Sequence, residues 1–238
     1  MKKSAAAGLL FTFLFLSGCL YPQAELAQNQ VPYKDQLDFV QKAVDQYKEK
    51  TDGLLPIKNK DMNTPIYEKY PVDFAKLVPD FLPEAPGTAY ESGGIYQYVL
   101  INAETKPEVK LIDLRMAEEI RDLRIRISAY IQSNRYPPYK EVLEDGVFTL
   151  DYQKLGLKEP PAVTSPYSEN QLPLLIGSKG EIFADYRIDL HKALKETNKK
   201  PDQNEDIRAL LVEDSVFVPA FSKPYTVNEK NEPIFMKN

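Results

Sequence analysis

The sequence predicts an α+β fold built from two related modules, each a helix followed by an antiparallel hairpin. Apolar residues spaced three or four apart over 37–47 and 116–130 predict the two helices. Apolar runs at 98–101 and 172–176, each followed by a turn rich in Gly, Asn or Pro, predict the two hairpins. Similar segments recur in the same order along the chain, which indicates that the second module is a copy of the first.

Two pairs of segments carry this repeat. Val72–Leu77 (VDFAKL) resembles Leu150–Leu155 (LDYQKL) 78 positions later, and Leu111–Arg115 (LIDLR) resembles Arg187–His191 (RIDLH) 76 positions later. The alternative is chance similarity in a chain rich in Asp, Leu and Lys. Because the two pairs keep their order and nearly the same offset, we favour duplication. We therefore expect the two members of a pair to have the same secondary structure.

The repeat also predicts where the parts of the chain begin and end. The helix at 115–133 directly follows the first hairpin, so we expect it to close the first module and to open the second. The repeat period is longer than in common solenoids, which favours two modules side by side. The predicted divisions are residues 1–18, residues 19–34, a first module at 35–124, a second at 115–200, and a C-terminal extension with a partial hairpin at 201–238.

The N-terminus has the pattern of a secretory signal peptide. Lys2 and Lys3 precede an apolar run of 12 residues, 5–16. As a helix this run would be about 18 Å long, too short to cross a hydrocarbon core of ~30 Å. Cys19, the last residue of the sequence Leu-Ser-Gly-Cys, is the only cysteine. It cannot form a disulfide within the chain, so its presence in a chain predicted to be exported needs another explanation. The alternative is an ordinary secretory peptide in which Cys19 is incidental.

The run Leu16-Ser17-Gly18-Cys19 resembles the lipobox of bacterial lipoproteins. This resemblance implies that residues 1–18 are removed, that the Cys19 thiol carries lipid, and that residues 19–34 form a flexible tether. It also implies a lipid-anchored position at the extracytoplasmic face of the cell membrane. In composition the chain is similar to small lipoproteins of Gram-positive, Bacillus-like bacteria, a similarity that implies no activity and no binding residue.

Charge restricts the partners that the chain is expected to have. Removal of residues 1–18, which include two lysines, changes the formal net charge from −5 to −7. An acidic chain is poorly suited to nucleic acid, because binding to phosphates needs clustered Lys and Arg. It also lacks a polybasic segment for anionic lipid. We expect no nucleic-acid partner and expect the N-terminal lipid to attach the protein to the membrane.

The residue types that commonly support catalysis are scarce. His191 is the single histidine, lipidation would consume Cys19, and neither a glycine-rich phosphate loop nor a Gly-x-Ser-x-Gly motif occurs. We therefore expect no metal site and no cofactor, and favour a protein that is not an enzyme. A carboxylate-dependent hydrolase stays open, because acidic pairs are plentiful. These pairs are Asp73 and Asp151, Glu118 and Glu119, and Glu141 and Glu144.

Two tyrosine clusters are candidate contact surfaces. One consists of Tyr90, Tyr96 and Tyr98, and the other of Tyr136 and Tyr139. Exposed tyrosines stack on sugar rings or anchor a protein partner. The alternative is that these rings cover the ends of helices and sheets in a chain without tryptophan. We favour a non-catalytic protein that binds or scaffolds an envelope protein, and keep open a binder of cell-wall glycan or peptide.

Replacing Cys19 by Ser tests the predicted lipid anchor. Because the lipid would be attached to the thiol, Cys19→Ser should lose labelling by a fatty-acid analogue. It should also leave the membrane or remain an uncleaved precursor. Metabolic labelling followed by membrane fractionation measures both effects. Ser17→Ala keeps a small residue before the cysteine and is the control, while labelling of Cys19→Ser at the wild-type level would contradict the prediction.

Overall fold

The computed structural model describes residues 33–237, which have a mixed α+β fold. The predicted signal peptide, Cys19 and most of the predicted tether lie outside these residues. The helices are α1 (Tyr33–Lys50), α2 (Leu114–Asn134), α3 (Arg187–Thr197) and α4 (Ala209–Glu213). The strands are β1 (Tyr96–Ile101), β2 (Glu108–Asp113), β3 (Tyr139–Glu144), β4 (Val147–Leu150), β5 (Ala162–Thr164), β6 (Gln171–Gly177), β7 (Ile182–Ala184), β8 (Tyr225–Val227) and β9 (Pro233–Phe235). Within 33–237, none of the helices has the length and apolarity needed to span a membrane.

The first module packs α1 against the β1–β2 hairpin. Ala43 and Val44 lie three and four positions after Val40, so these three buried residues share one side of α1. They join one core cluster with residues of both strands, among them Leu100 and Leu111. The strands are antiparallel, and their register runs from Tyr96 opposite Asp113 to Ile101 opposite Glu108. The predicted helix and hairpin are both present, and α1 begins two residues before the predicted boundary at 35.

The second module repeats this plan with α2 as its helix. Buried residues of α2 between Met116 and Ile127 lie on one face and pack into the largest core cluster. Strand β6 is central, because it pairs with β4, β5 and β7, all antiparallel. The β6–β7 hairpin corresponds to β1–β2, and α2 is the last element of one module and the first of the next. The predicted α+β fold is therefore confirmed, and the helix and hairpin predicted for this part of the chain are both present.

The first pair of repeated segments has the same local structure in both modules. Val72 forms an isolated β-bridge and Leu150 ends β4, and each is followed by an aspartate and a short 3-10 helix. The aspartate then pairs with the lysine three positions later in both copies, Asp73 with Lys76 and Asp151 with Lys154. This half of the repeat prediction is confirmed.

The alignment of the second pair of segments was wrong. Leu111–Arg115 joins the end of β2 to the start of α2, whereas Arg187–His191 lies wholly within α3. The residue equivalent to Asp113 is Asp185, which follows β7 directly, and Arg187 is equivalent to Arg115. The offset at this point is 72 rather than 76, because the second module has a shorter connection between the two landmarks.

An aspartate and the arginine two positions later are hydrogen-bonded at the start of three helices, α2, α3 and α4. We call this Asp-x-Arg pair the clasp. Asp185 accepts hydrogen bonds from the Arg187 backbone N–H (3.1 Å), from Nε (2.9 Å) and from Nη2 (2.5 Å). Asp113 accepts the same three from Arg115, and Asp206 the same three from Arg208. Each carboxylate thus accepts a hydrogen bond from a backbone N–H that would otherwise be unpaired at the start of the helix. It also binds the guanidinium at two nitrogens, which is a strong charge-assisted interaction.

The C-terminal extension completes the first module. Val212, Val218 and Ala220 form a third core cluster with Val99, Ile101 and Ile112 of the β1–β2 hairpin. The Lys110 ammonium, which is buried, donates to the carbonyl oxygens of Val212 (3.1 Å) and Ser215 (2.8 Å). The predicted partial hairpin is present as β8–β9, whose aromatic residues pack into the core of the second module.

Replacing Asp185 by Ala tests the clasp. The substitution removes the carboxylate from a half-buried guanidinium and from a backbone N–H, although Glu144 still pairs with Arg187 at 3.4 Å. We expect the free energy of unfolding to fall by about 2 kcal/mol, the range for hydrogen bonds to charged groups. Equilibrium urea unfolding measures the change. Asp122→Ala, which breaks a pair exposed on both sides, should change nothing measurable, and an equal effect of the two variants would contradict the role of the clasp.

Candidate binding cleft

A cleft of about 350 Å³ opens where both modules and the C-terminal extension meet. It is bounded by Tyr33 and Lys34 of α1, by residues 166–168, by one side of α3, and by residues between 210 and 217. We call it the α1–α3 cleft. Its volume is at the lower end of the range for small-molecule sites, roughly 300–1,000 Å³. The cleft can therefore admit one side chain, one sugar ring or a short peptide.

Three aromatic rings form one wall of this cleft and the surface beside it. The ring centroids of Tyr33, Tyr96 and Phe217 are 5.5 to 6.4 Å apart, in tilted or edge-on contact. The segment around Phe217 pairs with β2, because the Leu111 N–H donates to Val216 O and the Val218 N–H donates to Leu111 O. This pairing holds the Phe217 ring beside the cleft. Burial raises the pKa of the Tyr96 hydroxyl, and the nearby Arg115 guanidinium opposes that rise. We call these three rings the aromatic wall.

The floor of the cleft contains a buried carboxyl group, that of Asp189 in the first turn of α3. Ser165 donates a hydrogen bond to one of its oxygens at 2.7 Å, and Ser168 donates to the other. Burial raises the pKa of Asp189, while the two serine hydrogen bonds and the Lys192 ammonium lower it. The Tyr167 N–H donates to Ser165 Oγ at 3.0 Å. Asp189 therefore fixes the 165–168 loop to α3.

The rim of the cleft carries charges of both signs. Lys192 pairs with Glu196 one turn later on α3, at 3.9 Å. Within residues 33–237, neither Lys34 nor Asp214 has an ion-pair partner. A cation and an anion thus face the cleft from α1 and from the segment after α4. Such a rim can bind groups of either charge beside the aromatic wall.

Three carboxyl groups line the cleft, and that of Asp189 already accepts two hydrogen bonds. Asp189, Glu196 and Asp214 all line the cleft, but neither Glu196 nor Asp214 is among the charges that shift the pKa of Asp189. Both oxygens of Asp189 already accept serine hydroxyls, as expected of a structural tie. His191 is exposed on α3 and does not line the cleft. Among residues 33–237, no three His, Cys, Asp or Glu side chains are grouped to hold a metal.

The tyrosines predicted as one cluster occupy different environments. Tyr90 is 66% exposed in a 3-10 helix, and Tyr96 belongs to the aromatic wall. Tyr98 is 1% exposed, packs edge-on against Phe74, and shares a 2.8 Å hydrogen bond with the Thr88 hydroxyl. Because both faces of β1 are covered, Tyr98 is a core residue, and the exposed position assumed for it was wrong.

Tyr136 and Tyr139 lie in the second module and line no part of the cleft. Tyr136 is 53% exposed and packs edge-on against Tyr130. Tyr139 stacks on Phe148 at 4.2 Å and donates weakly to Gly177 O at 3.4 Å. The two rings therefore pack against different aromatic neighbours, away from the α1–α3 cleft. The cleft residues Tyr33 and Phe217 were missed by the sequence reasoning, although Tyr33 continues the helical spacing of Leu37 and Val40.

The fold and the cleft define a small α+β protein with an aromatic-walled cleft that carries charges of both signs. Residues 33–113 match the family model described as the YphF family N-terminal domain. The match covers about a third of the chain, and its ends coincide with the first residue of α1 and the last residue of β2. The first module is therefore similar to that domain. No curated protein and no solved structure matches the chain.

Asp189 is expected to make stability depend on pH. Because burial raises its pKa, the folded protein holds this proton more tightly than the unfolded chain does. Its stabilising contribution is complete below the unfolded pKa of about 3.9 and is lost as the pH rises through the raised folded pKa. Asp189→Asn keeps partners for both serines but does not titrate.

The measurement is urea unfolding of both proteins across that pH interval. The variant should gain stability relative to wild type as the pH rises above about 4. Taking the difference between the two proteins removes the contributions of Glu68 and Glu144, whose pKa values burial also raises. A difference that does not change with pH would show that Asp189 is as acidic in the folded protein as in the unfolded chain.

Proposed function

We propose that the protein is a lipid-anchored lipoprotein at the extracytoplasmic face of the cell membrane, and that its domain binds an envelope partner without catalysing a reaction. The observation that carries the proposal is the position of the α1–α3 cleft at the point where the chain enters the domain. Tyr33 and Lys34 both line it, and Cys19 is 14 positions before Tyr33. Thirteen residues reach at most about 45 Å when extended and roughly 20 Å as a flexible chain. A partner in the cleft is thus close to the membrane surface.

The chemistry of the cleft supports binding rather than turnover. Its one buried carboxyl group, Asp189, holds a loop in place, and the charged groups at its rim are exposed. Exposed tyrosine and phenylalanine rings beside charged groups are common at sites that bind proteins, peptides and sugars. The partner that we favour is an envelope protein. Tyr136, which is 53% exposed outside the cleft, is a second place for such a partner.

A component of the cell wall is the second candidate partner. The aromatic wall beside Ser168 and Asp214 offers a ring face together with groups that accept or donate hydrogen bonds, the combination that sugars and short peptides need. Sedimentation of the detergent-extracted protein with purified cell wall tests this candidate. Binding that is lost in Phe217→Ala and kept in Tyr136→Ala would place the wall component in the cleft.

Site-specific photo-crosslinking in cells tests the favoured partner. A photoreactive residue at Tyr33 should give a crosslinked adduct of one defined mass, because this side chain lines the cleft and is 38% exposed. The same residue at Ile125, which is 62% exposed on α2 and outside the cleft, is the control. Mass spectrometry of the adduct identifies the partner. Equal adducts at both positions, or none at position 33, would contradict binding at the cleft.

A further inference from the structure

We infer that the end of the domain at the N-terminus of α1 lies against the lipid surface that holds the anchor. The patch consists of Tyr90 and Ile95, which are 66% and 42% exposed, and it lies beside Tyr33. We call it the membrane-facing patch. This inference rests on the proposed lipid anchor, and it adds a second attachment made by the folded domain itself.

Three sets of contacts bring the members of the patch to one end of the molecule. The Tyr33 ring is 6.4 Å from that of Tyr96, the neighbour of Ile95. The Thr88 N–H and hydroxyl both donate to Gln36 Oε1 in the first turns of α1, which holds the loop bearing Tyr90 there. The Leu114 N–H donates to Ile95 O at 2.9 Å, so the start of α2 lies beside them. The tether joins the domain at this same end, at Tyr33.

Ion pairs reduce the negative charge that the patch would present to an anionic membrane. Glu91 pairs with Lys58 at 2.7 Å, and Asp113 is held by Arg115. The Arg115 side chain is 64% exposed, which leaves part of its guanidinium accessible to lipid phosphates. Lys34 has no ion-pair partner among the described residues. Two acidic groups near the patch are therefore neutralised, whereas Asp35 in the first turn of α1 has no ion-pair partner among the described residues.

The chemistry of the patch suits the headgroup region of a bilayer. Tyrosine is enriched at membrane–water interfaces because its ring is apolar and its hydroxyl is polar. Isoleucine adds apolar area that can enter the boundary with the acyl chains. Only thirteen residues separate the proposed lipid at Cys19 from Tyr33, so even weak contacts of the patch form often at the high local concentration of lipid. The lipid anchor and the patch would then fix which side of the domain faces the membrane.

The absence of tryptophan from the sequence allows a direct test. Tyr90→Trp and Leu54→Trp each create a protein with one tryptophan at nearly the same exposure, 66% and 64%. Leu54 follows the C-terminal end of α1, about 27 Å along the helix from Tyr33. Each full-length lipoprotein is placed in vesicles of phosphatidylcholine and phosphatidylglycerol (7:3) whose acyl chains are brominated. Bromine quenches tryptophan only at short range.

The expected result is that fluorescence at position 90 falls about twofold and shifts to the blue, while fluorescence at position 54 stays unchanged. Ile95→Asp in the Tyr90→Trp protein should remove most of this quenching, because it places a charge in the patch. Equal fluorescence at the two positions, with the protein bound to vesicles, would overturn the inference.

A second form of the experiment separates this inference from the proposed anchor. If the protein fails to float with vesicles, the proposed lipidation is wrong. Cys19, the only cysteine, can then be coupled chemically to a maleimide-headgroup lipid, and the same two tryptophan positions are compared. Selective quenching at position 90 in the coupled protein supports the patch, and its absence overturns the patch whatever the natural anchor is.

Discussion

Burial of both faces of a two-stranded hairpin determines the rest of this structure. Two strands alone are at best marginally stable in water, so each face of β1–β2 needs a cover. Leu100 and Leu111 face α1, while Ile101 and Ile112 face residues of the C-terminal extension. The segment that matches the YphF family N-terminal domain ends at residue 113, in the middle of this core. In this chain, the matched region depends on residues about a hundred positions further on.

The buried Lys110 ammonium makes that dependence specific. It donates to Val212 O and Ser215 O and pairs with Glu108 at 2.6 Å. Taking an ammonium group out of water is costly unless its hydrogen bonds are satisfied. Apolar contacts alone would allow the extension to slide along the hairpin, whereas the two carbonyl acceptors on the extension fix one position. The same segment then delivers Phe217 to the aromatic wall, so the packing of the hairpin also shapes the cleft.

Local sequence patterns predicted the helices and hairpins, whereas packing between distant parts of the chain forms the α1–α3 cleft. The apolar spacing in α1 and α2 and the turns after β1 and β6 were sufficient to predict the helices and hairpins, because each is encoded within a few turns or residues. The second pair of repeated segments was misaligned because the prediction matched the residue types Ile-Asp-Leu. The physical feature that the two modules share is an aspartate two positions before an arginine, as in Asp185 and Arg187. Alternation could not place Tyr98, since both faces of its strand are covered. The cleft joins residues 33 and 217, and no local pattern links them.

The helix shared by the modules has a consequence for how this chain can change over time. Helix α2 has 21 residues and continues from the last strand of one module into the core of the next. One added or removed residue would turn everything beyond it by about 100° and move it by about 1.5 Å. Such a turn would carry the C-terminal extension away from the hairpin that it covers. We therefore expect substitutions on the exposed side of α2 to be tolerated better than any change in its length.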